Sequence, residues 1–155
     1  MNFHFSSLLF ATLVAVGPVA TFAQPLPGRH PAYLHALSDL RAARWFLYHQ
    51  PGDPKVYADE DVGITEIDAA INEIRRASID DGKDINDHPA VDVNEHGSRL
   101  LRSIETLKKA QADIRGEEDN PEVHELRHRA LEHIERATRA AERAHAEWLK
   151  DMKKS

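Results

Sequence analysis

Ile64-Thr65-Glu66-Ile67-Asp68-Ala69-Ala70-Ile71-Asn72-Glu73-Ile74-Arg75-Arg76-Ala77-Ser78 places Ile64, Ile67, Ile71, Ile74 and Ser78 at alternating steps of three and four. At about 100° per residue these positions draw one narrow apolar stripe along a helix, with Ala70 and Ala77 beside it. A stripe that narrow is the seam of a helix packed among others in a bundle. Thr65-x-x-Asp68 reads as a capping box within the stretch, although acidic first-turn chemistry also begins at Asp59.

The same pattern returns elsewhere. Ala70-Ile71-Asn72-Glu73-Ile74-Arg75-Arg76-Ala77 reads against Ala130-Leu131-Glu132-His133-Ile134-Glu135-Arg136-Ala137. Leu37-x-x-Leu40-Arg41-Ala42-Ala43 reads against Ile104-x-x-Leu107-Lys108-Lys109-Ala110. Two copies of a helical hairpin, each with one apolar stripe, bury those stripes on one another. The expected fold is all-α, an antiparallel up-down-up-down four-helix bundle built from two duplicated helical hairpins.

Punctuation marks the elements. The first helix opens at Pro31, an acceptable first helical residue, carries Leu34, Leu37, Leu40 and Leu47, and stops at Gln50-Pro51-Gly52. Gly82, Asp84, Asn86, Asp87, Pro89 and Asp92 are loop chemistry. The third helix restarts by Asn94 or Ser98 and shows Leu100, Leu101, Ile104, Leu107, Ala110 and Ile114. Asn120-Pro121-Glu122 supplies a cap, a Pro at the first position and an acid in the first turn, so the fourth helix runs from Pro121 to about Met152. Hairpin 1 therefore spans about 31–81, a linker 82–95, and hairpin 2 about 96–152.

The chain has 155 residues, a formal charge of −6, ten His and no Cys. Lacking Cys, it has no disulfides, thiolate metal sites or covalent haem attachment. Its acidity opposes nucleic-acid wrapping, which needs a clustered basic face. Residues 1–23 hold no Lys, Arg, Asp or Glu, run through Leu8, Leu9, Phe10, Leu13, Val14 and Val16, and end in Thr21-Phe22-Ala23. So short an apolar stretch with a small-residue exit reads as a secretory signal. The expectation is a periplasmic or secreted protein whose single domain is 24–155, with no membrane span after cleavage.

In the expected topology His30, His35, His88, His96 and His145 gather at one end with Asp80, Asp81, Asp84, Asp87, Asp92 and Glu95. His49, His124 and His128 gather at the other. Imidazole with carboxylate suits Cu²⁺, Ni²⁺ or Zn²⁺. His30, His35, His88 and His96 are the candidate metal ligands, with His124 and His128 as a second, looser site. His124-Glu125-Leu126-Arg127-His128 also spells the zinc-peptidase pattern. Its two His, however, lie far around the helix from the buried stripe of Val123, Ala130 and Ile134, where no cleft can form. A calcium loop drawn from Asp84 to Glu95 meets Pro89 where the turn requires Gly. Haem lacks a ligand pair, since beyond Met1 the chain's only Met is Met152. No nucleotide motif or nucleophile–base constellation is present.

Glu66-Ile67-Asp68-Ala69-Ala70-Ile71 and the segment from Gly82 to Ile114 resemble the small periplasmic metal-binding four-helix bundles that carry His on their helices. The His-Pro-x-Tyr-Leu-His-Ala-Leu-Ser-Asp-Leu-Arg stretch from His30 to Arg41 is similar to the start of an uncharacterised family of proteobacterial secreted helical proteins. The first resemblance implies a non-enzymatic envelope protein that binds divalent transition metal. The alternative is an envelope interaction or stress-response module without metal, and an exposed apolar patch would favour it.

Overall fold

The computed structural model describes residues 31–48, 56–77, 79–91, 93–115 and 121–155, excepting the side chains of Pro121 and Glu122. The expected signal segment 1–23, His30, His49, the Gln50-Pro51-Gly52 stop, Asp92 and the Asn120 cap lie outside the described residues. Four helices form: α1 (Pro31–Leu47), α2 (Ala58–Arg76), α3 (His96–Arg115) and α4 (Pro121–Met152). Pro31 and Pro121 stand first in their helices, where a missing N–H costs nothing. α2 starts beside Asp59, the earlier of the two starts the sequence offers, and not at the Thr65–Asp68 box. Glu60 in its first turn accepts a hydrogen bond from the Tyr57 N–H (3.1 Å), while the Thr65 hydroxyl donates to the Asp61 carbonyl inside the helix.

The apolar stripes meet in one core. Leu37, Leu40, Ile67, Ile71, Leu100, Leu107, Ile114 and Ile134 are all buried. α4 contributes mainly small side chains, Ala130, Ala137, Ala141 and Ala144, which let the neighbouring helices come close. Gly97 makes the same allowance on α3: a Cβ there would stand 2.4 Å from the Trp148 ring. The all-α, four-helix class is as the sequence led one to expect.

Helix order departs from the expectation. On α1 and α2, Leu47 meets Gly63 and Arg44 meets Asp68, so these helices are antiparallel. On α2 and α4, Glu73 meets Arg129, Glu66 meets Arg136 and Asp59 meets Arg143, again antiparallel. Ala43 lies by Ser103 and Asp39 by Lys109, so α3 opposes α1 as well. Gly97 lies by Trp148 and Lys108 by Glu142, which sets α3 against α4. Consequently α2 and α3 run the same way, as do α1 and α4. The order is up-down-down-up, a bundle with one long crossover, and not up-down-up-down.

The segment joining α2 to α3 therefore passes from one end of the bundle to the other, climbing the side of α1. Arg41, buried in α1, donates from both terminal nitrogens to Asp81 (2.7 and 2.8 Å). Farther up, Arg44 bonds Asn86 (2.8 Å) and the Trp45 ring meets His88. Ile79 is buried beneath the segment. Gly82 takes φ +67°, a conformation that L side chains resist, where the chain turns along α1. Asp80 and Asp84 each accept a backbone N–H two residues on, from Gly82 (2.9 Å) and Asn86 (2.7 Å).

Candidate functional site

The crossover topology redistributes the histidines. The α1 start, α2 end, α3 end and α4 start share one end of the bundle, here called the Pro31 end. The α1 end, α2 start, α3 start and α4 end share the other, the Met152 end. His35 falls toward the Pro31 end with His124 and His128, whereas His88, His96 and His145 fall toward the Met152 end. The expected first cluster of His35, His88 and His96 is thus split, because α3 starts at the opposite end from the α1 start. Among the described residues, no three His, Asp or Glu side chains converge as a metal-holding group.

Each imidazole has its own surroundings. His96 Nε2 lies 2.8 Å from Glu60 Oε1, and Glu60 is only 1% exposed. That nitrogen is committed to the carboxylate. The pair fastens the first residue of α3 to the first turn of α2, two helices on the bundle's diagonal. The Tyr57 ring packs edge-on against the same imidazole, and its hydroxyl reaches Asp151 (3.4 Å). The crossover is pinned at both ends, at its start by Arg41–Asp81 and at its exit by Glu60–His96.

His88 Nδ1 lies 2.8 Å from the Pro89 carbonyl. A carbonyl only accepts, so Nδ1 carries the proton and the lone pair of the neutral ring sits on Nε2. With Ser38, Arg41, Lys83, Asp87 and Pro89 it lines a polar recess of about 270 Å³. Hydrogen bonds from Arg41 hold the Asp81 carboxyl below the usual carboxylate range, against the opposing effect of burial. His145 stacks on Trp148, and His35 is exposed on α1. His133, which is not one of the expected ligands, lies 2.5 Å from Glu66 on the α2–α4 seam.

His124 and His128 remain. Both are exposed on α4, one turn apart and so on one face, with Cβ atoms about 5–6 Å from each other. Glu132 lies a further turn along, 3.4 Å from His128 Nε2. Glu125, the base of a zinc-peptidase reading, instead receives a hydrogen bond from Arg129 (3.2 Å). The face is open helix surface, which cannot exclude water from a reacting substrate.

Sequence reading missed Tyr57, Glu60, Arg41 and Asp81 as a framework. One signal was available: Arg41 lies directly beside Leu40 in a helix whose other stripe residues are apolar, and a charge there needs a partner. No family model matches the chain, and neither a curated protein nor a solved structure does.

Proposed function

We propose that the protein is a non-enzymatic, periplasmic or secreted helical bundle that captures a divalent transition metal through His124 and His128. The observation that carries this reading is the placement of two exposed imidazoles one turn apart on a rigid helix, with Glu132 one turn beyond. Two nitrogen ligands held by a helix are preorganised, and they suit Cu²⁺, Ni²⁺ or Zn²⁺ with water completing the shell. Such a site exchanges metal readily, as a carrier or buffer requires. Calorimetric titration of the protein with each metal tests it. One saturable event per chain is expected, weakened at least tenfold by His124→Ala or His128→Ala and unchanged by His88→Ala. No saturable heat, or heat indifferent to His128→Ala, removes the reading.

A second reading, an interaction module without metal, has its own observation. Tyr48, Val56, Val62, Leu101, Leu149 and Met152 are the exposed large apolar side chains among the described residues, and all lie toward the Met152 end. A silent metal titration combined with docking through that end would put this reading first.

A further inference from the structure

The crossover carries one step of backbone that is chemically unlike the rest. Asp81-Gly82 is the chain's only Asp-Gly or Asn-Gly step. An aspartyl side chain can close a five-membered ring on the next residue's amide nitrogen, and Gly, having no Cβ, leaves that nitrogen open to closure. The Gly82 nitrogen attacks the Asp81 Cγ and gives up its proton, while the carboxyl hydroxyl leaves as water. The product is a cyclic imide. Water that opens the ring at Cγ restores aspartate. Water that opens it at the main-chain carbonyl routes the backbone through Cβ and Cγ as isoaspartate. One water is lost and one regained, and no oxidant or cofactor enters.

The fold opposes each requirement of that reaction. The Gly82 N–H donates to Asp80 Oδ1 (2.9 Å), so the nucleophile's proton is held by another carboxylate. Both Asp81 oxygens are taken: Oδ2 by Arg41 Nη1 (2.7 Å), and Oδ1 by Arg41 Nη2 (2.8 Å) and the Lys83 N–H (3.2 Å). Loss of the hydroxyl needs a protonated carboxyl, and hydrogen bonds from the Arg41 guanidinium favour the ionised form. Arg41 is buried in α1, so turning the carboxyl toward Gly82 breaks two charge-assisted bonds to a fixed fork. Solvent, by contrast, is at hand: Gly82 is exposed, and a Cβ there would meet nothing within 4 Å. The step is wet and sterically open, and what holds it back is hydrogen bonding.

From this arrangement we infer that Asp81-Gly82 is a site of spontaneous isoaspartate formation locked by Arg41, and that isomerisation at Asp81 releases the crossover from α1. Both effects turn on the same ion pair. Reaction needs the strap opened, so its rate follows the fraction of chains in which Asp81 has left Arg41. Isoaspartate lengthens the main chain by one carbon and leaves the carboxylate directly on Cα, out of register with the guanidinium fork. The Arg41 charge then stays buried without its partner, a far costlier state than a broken surface pair, and the strap is not drawn back. An opening of the crossover is thereby stored as a covalent change that outlasts it.

Isoaspartate has the mass of aspartate, so it is read by electron-transfer fragmentation of the tryptic peptide 77–83, bounded by Arg76 and Lys83. The full chain is incubated at neutral pH, folded in buffer and unfolded in urea, as wild type, Arg41→Met and Arg41→Lys. Folded wild type should form isoaspartate at Asp81 at least about tenfold more slowly than the unfolded chain. Folded Arg41→Met should form it at least about tenfold faster than folded wild type. Arg41→Lys keeps the charge without the fork and should fall between, and it decides the matter if circular dichroism shows Arg41→Met unfolded. All three should react alike in urea, where the lock is absent. Isomerised wild type, separated by ion exchange, should lose amide protection over 79–88 while the helices keep theirs. Equal rates in folded and unfolded wild type, no gain in the folded Arg41 variants, or full protection in the isomerised chain overturns the proposal. So does an unfolded chain that forms no isoaspartate at Asp81.

Discussion

Along the α2–α4 seam, Asp59, Glu66 and Glu73 each reach a basic side chain on the facing helix, at Arg143, Arg136 and Arg129. Along the α1–α3 seam the facing groups are Leu37, Leu40, Leu100 and Leu107, with Lys109 reaching Asp39 (2.9 Å) at the edge. Beneath the ion pairs, however, the α2–α4 seam has the same filling: Ile67, Ile71, Ile134 and Ala137 are all buried. Partly exposed pairs contribute about 0–1 kcal/mol each, whereas a buried Leu or Ile contributes several times that. The contrast therefore concerns specificity. The ladder of carboxylates and arginines selects which helices pair and in what register, while apolar burial stabilises both seams alike.

The sharpest way to break that view is to cut one large side chain from each seam. Leu107→Ala and Ile134→Ala should each cost about 2–5 kcal/mol as large-to-small core changes, read by urea denaturation. Similar losses mean that burial carries both seams. A loss at Ile134 far below that at Leu107 would mean that the ion pairs hold α2 to α4, and the comparison as drawn would be wrong.

Next in size is the buried ion pair that ties the crossover to α1 and belongs to neither seam. Arg41 is 1% exposed and Asp81 is its bidentate partner. Removing one member of such a pair leaves a poorly solvated charge, so Arg41→Met should cost about 3 kcal/mol. The variant should also lose amide protection first over residues 79–88, because Asp81 ties the crossover to α1. Restoration by Asp81→Asn in the same chain would show that the stranded carboxylate, and not lost packing, causes the damage. If Arg41→Met costs no more than a surface pair, the crossover is held by Ile79 and the Trp45–His88 contact instead.

The helices were legible because their signals are local. Pro31, Pro121 and the stripe through Ile67, Ile71 and Ile74 act within one or two turns. The direction of α3 was not, because it depends on a contact between residues forty positions apart, Arg41 and Asp81, and on the Glu60–His96 pair. Asp80 to Pro89 reads equally well as a short hairpin link or as a strap along a helix, since both use the same turn chemistry. Because α3 starts at the end opposite the α1 start, His88 and His96 lie away from His35. The spacing of His124 and His128 does not depend on helix order, because both lie on α4.

The smallest expected effect has the opposite sign and comes from the edge of the apolar seam. At Asp39, burial pushes the carboxyl above its ordinary range, and Lys109 only partly offsets it, with Asp113 adding like charge. At Glu66, burial acts in the same direction, yet hydrogen bonds from His133 and Arg136 outweigh it and hold the carboxyl low. A carboxyl held low in the folded state adds stability above its unfolded value, and that stability is lost as pH falls through the folded value. A carboxyl held high does the reverse, and its ionisation opposes folding as pH rises. Asp39→Asn should therefore leave the protein at least as stable at pH 7, with a gain within about 1 kcal/mol, whereas Glu66→Gln should lower stability by a similar amount. Below about pH 5 the Asp39→Asn protein should lose stability more steeply than the parent, since a carboxyl that opposes the trend has gone. Denaturant midpoints measured from pH 7 to pH 3 test this. If Asp39→Asn is destabilising at pH 7, Lys109 does for the α1–α3 seam what Arg136 does for α2–α4, and the two seams are closed alike.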